Sequence, residues 1–151
     1  MRRGVMSKPG DTVTLRYAHP DEHEVLEALQ WRASFELREY RDQLMEHPDA
    51  VHLPPSQIAN GQVIVAEVDG QIAGFAAVVG GELGGLFVEP DLWGRGIGRV
   101  LADAAVHEAR DRGLALTVIA APSARIFYES CGFSVEGEAQ TRFGPALKMS
   151  R

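Results

Sequence analysis

The stretch Leu86-Phe87-Val88-Glu89-Pro90-Asp91-Leu92-Trp93-Gly94-Arg95-Gly96-Ile97-Gly98-Arg99 decides how this chain is read. An apolar run with strand character ends at a Pro-Asp turn, and a glycine-rich loop then opens straight into a helical pattern. Closely spaced glycines let the backbone approach a ligand without a Cβ in the way. The unpaired N–H groups at a helix start form a ready site for phosphate or pyrophosphate. Gly94, Gly96 and Gly98 exceed what a tight turn requires, so a phosphorylated ligand is expected here.

Downstream, Ile97, Val100, Leu101, Ala104, Ala105 and Glu108 recur at helical spacing, and Gly113 is the natural end of that helix. Leu114 to Ala120 is a continuous apolar run, expected as a strand covered on both faces. A strand, a helix and a second strand in this order predict a parallel pair joined by a right-handed crossover. Pro122 begins a short helix with Ala124, Phe127, Tyr128 and Cys131 on one face, and Gly132 ends it. Phe133 to Glu138 and Arg142 to Met149 read as closing strands.

Upstream, Val63 to Val68, Ile72 to Val79 and Glu82 to Val88 predict a three-strand meander, with Asp69-Gly70 as a type I′ turn and Gly80-Gly81 as the next. Thr12 to Tyr17 reads as a strand. Pro20 and Asp21 suit the first positions of a helix whose apolar face is Val25, Leu26 and Leu29, and a second, ragged helical pattern runs from Trp31 to Met45. Residues 1–11 are expected to be a disordered tail, and 12–151 one domain. The resulting order is β-α-α-β-β-β-α-β-α-β-β, an α/β fold with a mixed, mostly antiparallel sheet around a central parallel βαβ unit.

With 151 residues, 45% hydrophobic and 24% charged, the chain is long enough to bury a core and has the composition of a globular protein. Its net charge of -6 argues against a broad nucleic-acid footprint, with Arg95 and Arg99 a local exception suited to one phosphate group. The acidic balance favours a cationic partner such as a polyamine or aminoglycoside. The single Cys131 excludes an internal disulfide. No apolar run approaches the roughly 18 residues of a membrane span. No signal peptide is apparent. A cytoplasmic protein with no membrane partner is expected. The five histidines lack metal-ligand spacing, so no metal is expected either.

The order of elements, with G-R-G-I-G after the fourth predicted strand and A-x-x-F-Y-E-x-x-G-F at Ala124 to Phe133, resembles the GNAT superfamily of N-acetyltransferases over Thr12 to Met149. The family signature begins with Gln or Arg, and here Trp93 stands in that place. A second signature has Asn seven residues before Tyr; here Ala121 holds that place, with Ser123 the nearest polar substitute. The competing dinucleotide-binding pattern needs a glycine at Leu101 and an acidic residue after the next strand, and a P-loop needs Gly-Lys-Ser/Thr; the chain has none of these.

The resemblance implies acetyl-CoA as cosubstrate, attacked directly by a primary amine without a covalent enzyme intermediate. It places that cosubstrate on Phe87 and Val88 at the strand end, on Trp93, Gly94, Arg95, Gly96, Ile97, Gly98 and Arg99 in the loop, and on Ser123. It also implies a strand bulge at Val88 that frees a backbone N–H for the thioester carbonyl. Tyr128 matches the family tyrosine that donates to the leaving sulfur. Glu82, at a spacing some members use for a catalytic glutamate, is a candidate base; Glu82, Gly84, Leu86 and Val88 are expected on one strand face. Glu36, Glu39, Tyr40, His47, His52 and a water chain are the alternatives. Cys131 reads as a buried small hydrophobe and Trp31 with Phe35 as core. The short chain favours a small-molecule acceptor, and homodimerisation through Phe133 to Met149 is plausible by analogy. A non-catalytic acyl-CoA sensor of the same fold remains the rival, sustained by Trp93 and Ala121. A nucleotide-binding regulatory domain is a third reading.

Overall fold

The computed structural model describes residues 2–8 and 11–151. Among them one eight-stranded sheet runs in the order β1-β2-β3-β4-β5-β6-β8-β7. Its strands are β1 (Arg2–Lys8), β2 (Asp11–Tyr17), β3 (Val63–Val68), β4 (Gln71–Val79), β5 (Glu82–Val88), β6 (Thr117–Ala120), β7 (Ser134–Thr141) and β8 (Gly144–Ser150). Every neighbouring pair is antiparallel except β5 and β6. The expected tail over 1–11 is corrected in part. Arg2–Lys8 forms an edge strand on β2, because the outer edge of β2 offers backbone groups that seek partners. Positions 1, 9 and 10 lie outside the described residues.

Between β2 and β3 lie α1 (His23–Phe35), α2 (Arg41–Glu46) and α3 (Pro55–Ala59). The helical pattern expected over Trp31 to Met45 is divided. α1 already contains Trp31, and the chain then turns extended at Leu37 (ψ 100°) before a 3-10 turn at Arg38–Tyr40. The Arg41 Nε–H donates to the Phe35 carbonyl at 2.7 Å, satisfying a group the ending helix leaves over. The buried face of α1 is Leu26, Leu29 and Ala33, whereas Val25 is 53% exposed, against expectation.

The helix α4 (Ile97–Asp111) packs across β3, β4 and β5 through Ile97, Leu101, Ala102, Ala104, Ala105, Val106 and Ala109. Its alanines let the backbone come close to the sheet. The period-two alternation of β3 explains the two cores. Ile64 and Ala66 face α4, while Val63 and Val65 face Leu26 and Leu29 of α1. The Asp69-Gly70 turn has φ of 52° and 75°, both positive, as a type I′ hairpin requires. The strand expected at Leu114 to Ala120 is shorter and not covered on both faces: Leu114 and Ile119 are 42% and 41% exposed.

Two details open the sheet. The β5–β6 contact comprises only Glu82↔Thr117 and Leu83↔Val118. Beyond it β6 stays with β8 along all of Thr117–Ala120, so the parallel strands part. In β5, Ala77 faces Gly85 and Val78 faces Leu83, leaving Gly84 as an extra residue. The bulge therefore lies at Gly84, not Val88, and bends β5 where it leaves β6. It also shifts the alternation: Leu83, Leu86 and Val88 pack with the α4 core, while Glu82 pairs with exposed Val79. Leu101 sits fully buried between α4 and this sheet. Leu101→Ala should cost about 2–5 kcal/mol of unfolding free energy by urea denaturation; a loss below about 1 kcal/mol would contradict this packing.

Candidate active site

The gap between β5 and β6 holds a cavity of about 670 Å³. Leu86, Phe87 and Val88 bound it on one side, and Ser123, Ala124, Phe127, Tyr128 and Ser130 of the segment after β6, including α5 (Arg125–Ser130), on the other. The glycine loop and the start of α4 close one end; Ala33, Ser34 and Leu37 close the other. Because α4 and α1 lie on opposite faces of the sheet, the cavity passes through it.

The loop geometry suits an anion. Gly94 and Gly96 both have φ 82°, the left-handed region that glycine enters without strain. Gly96 caps α4, whose first N–H groups, on Ile97, Gly98 and Arg99, have no partner within the helix. Gly98 packs closely for a different reason: a Cβ there would lie 3.2 Å from the Phe127 ring, which would have to give by a few tenths of an ångström. Arg99 lines the cavity, whereas Arg95 is exposed outside its lining.

Val88 occupies the key strand end. Gly74 faces it across the ladder, and Glu89 N–H bonds Ala73 O at 2.8 Å. By antiparallel alternation the N–H and C=O of Val88 then point away from β4, into the gap. The carbonyl is met by the Trp93 indole N–H at 2.8 Å. Trp93 thus closes the loop onto the strand, its ring 47% exposed at the cavity wall. This contact had no signature in the sequence, because only the fold brings the indole back onto Val88.

Tyr128 also lines the cavity, only 8% exposed, edge-on to Phe127 and Phe133 at 5.0 and 5.4 Å between ring centres. Among the described residues its hydroxyl has no hydrogen-bond partner. Burial, with a smaller contribution from Cys131, pushes its pKa up to about 12, so it keeps its proton at any working pH. Cys131 is buried, and burial raises its thiol pKa, as befits an inert side chain.

The candidate bases fare differently. Glu82 stands exposed at the far end of β5, six positions before Val88 and outside the cavity lining. At about 3.3 Å per residue it is removed from Val88 by about 20 Å. Glu36, Glu39, Tyr40, His47 and His52 do not line the cavity either. His52 Nδ1 lies 3.2 Å from Glu27 Oε2, and His47 stacks on Phe143 with ring centres 6.3 Å apart. Glu39 alone is joined to the wall, accepting a hydrogen bond from the Ser123 hydroxyl. Ser123, the expected polar substitute, is therefore at the cavity but engaged. Trp31 and Phe35 are half-buried and stacked, with ring centres 5.8 Å apart. Among the described residues no group of three or more His, Cys, Asp or Glu is arranged to hold a metal, and no helix is long and apolar enough to cross a membrane.

The family model for the acetyltransferase (GNAT) domain matches residues 36–149. No curated protein sequence matches the chain. Among solved structures, the apo form of YjaB from Escherichia coli is 28% identical with a TM-score of 0.70, covering 91% of this chain and 96% of that one. A GCN5-related N-acetyltransferase from Rhodopseudomonas palustris is 27% identical with a TM-score of 0.75, covering 91% and 93%. PaiA N-acetyltransferase from Thermoplasma acidophilum, solved in complex with coenzyme A, shares the fold at 18% identity and a TM-score of 0.72, covering 92% and 98%. With the family domain matched over most of this chain, and with a parted parallel pair beside a glycine-capped helix, the chain belongs to the GNAT acetyltransferase superfamily.

Proposed function

We propose that this protein transfers an acetyl group from acetyl-CoA to a primary amine of a small molecule, by direct attack while both reactants are bound. The observation that carries this reading is the through-sheet cavity, with an anion-binding helix start at one end and an apolar mouth at the other. Acetyl-CoA would supply an activated thioester. The residues present fit it: the N–H groups of Ile97, Gly98 and Arg99, with the Arg99 guanidinium, suit a pyrophosphate. The cavity of about 670 Å³ between Leu86 to Val88 and Phe127 leaves room for a chain lying along the gap.

The Val88 N–H, directed into that gap, is the donor for the thioester carbonyl, where preorganised N–H groups act most strongly. Tyr128 supplies a hydrogen bond to the departing sulfur. Its pKa of about 12 stands far above the roughly 8.5 of a thiol. Full proton transfer would run uphill, so its contribution is hydrogen bonding to the thiolate. Holding both reactants in one cleft supplies much of the remaining rate. The cavity lining contains no carboxylate or imidazole, so the amine proton leaves through water. Glu82 has no part in this scheme.

Acetyl-CoA titrated calorimetrically should bind at one site, and free thiol should appear only when an amine is present. Tyr128→Phe should lower kcat by about tenfold or more with little change in acetyl-CoA affinity. An unchanged kcat removes Tyr128 from the chemistry, and binding without turnover on any amine favours the acyl-CoA sensor. The same variant checks the buried phenol independently. A folded-state pKa of about 12 against about 10 unfolded makes the native state lose about 2–3 kcal/mol as pH rises from 10 to 12, with no effect below pH 10. That part of the alkaline decline should be missing in Tyr128→Phe.

A further inference from the structure

The end of the cavity on the α1 face is built from Ala33, Ser34 and Leu37, with the Phe87 ring beside them. The titratable groups in the whole lining are Arg99, at the opposite end beside the α4 start, and Tyr128. The net charge of -6 therefore has no expression inside the cavity.

The lining itself holds no carboxylate, and two carboxylates next to it make contacts of their own. Glu89 accepts two N–H groups from Arg32 of α1, at 3.0 and 2.8 Å. Glu39, outside the lining, accepts the Ser123 hydroxyl. Two aromatic faces outside the lining already carry a guanidinium. Arg41 lies 5.2 Å over the Phe35 ring, and Arg142 lies 5.5 Å over Phe143. An ammonium group entering here would give up hydration and meet no carboxylate in the lining, a costly exchange. A single amine on an apolar body would instead bury that body against Ala33, Leu37 and Phe87 and arrive as the neutral base that attack requires.

We propose that the acceptor is a monoamine carried on an apolar body, an arylalkyl or alkyl amine entering from the α1 face, and that polycationic amines are discriminated against. This rests on the acetyl-transfer reading above and reverses the preference that the acidic composition suggests.

The test compares 2-phenylethylamine and hexylamine with spermidine and kanamycin as acceptors, under saturating acetyl-CoA, by initial rate of thiol release. The apolar monoamines should show kcat/KM at least about tenfold higher. Leu37→Glu places a carboxylate in the wall at an extended, half-buried position and should narrow that ratio by about tenfold, with calorimetric acetyl-CoA affinity retained. Ser34→Asp should act in the same direction and serves if Leu37→Glu fails to fold by circular dichroism. Equal or better turnover of spermidine or kanamycin overturns the inference and leaves acetyl transfer standing. An unchanged ratio in a folded carboxylate variant also overturns it. Acetyl-CoA binding without turnover of any amine overturns both.

Discussion

Parallel pairing between β5 and β6 lasts for two residue pairs, Glu82 with Thr117 and Leu83 with Val118, and the site exists because it stops there. A parallel sheet continued further would join the backbone of Leu86 and Val88 to β6 and leave no space between them. The extra residue at Gly84 bends β5 away, and β8 holds β6 along its whole length on the other side. The opening is a built feature, fixed by hydrogen bonding on both flanks. It falls at the carboxyl ends of the two parallel strands, where open α/β sheets place their ligands.

Opening a sheet exposes backbone groups that must be satisfied or put to use. The two groups of Val88 divide those outcomes: its carbonyl takes the Trp93 indole, and its N–H faces the cavity. Trp93 fills a family position usually held by Gln or Arg, and its indole nitrogen makes an intramolecular bond there. The positive charge at this end of the cavity comes instead from Arg99 and from the start of α4. The buried hydroxyl of Tyr128, without a hydrogen-bond partner among the described residues, is the complementary case, a polar atom at the cavity wall left open to a bound group.

Much of this was legible in the sequence because it is local. The glycine loop opening a helix, the Asp69-Gly70 hairpin and the helix end at Gly113 each depend on residues a few positions apart, and their backbone angles follow from glycine chemistry. The unread parts depend on distant contacts. Arg2–Lys8 carries no clear apolar alternation and is held by pairing to β2. The bulge has a trace in Gly84-Gly85, since glycine inside a strand often marks one. Strict alternation from Val88 puts Glu82 on the same face, and the one inserted residue sends it to the other. The Glu39–Ser123 bond joins residues 84 positions apart, and no local pattern announces it.

Backbone amide shifts, followed by nuclear magnetic resonance while coenzyme A is added, test the central claim most directly. The account predicts the largest changes at Val88 and at Ile97, Gly98 and Arg99, with Glu82 and Thr117 at the closed end of the gap little affected. Changes concentrated elsewhere on the sheet, with those four amides unmoved, would contradict it.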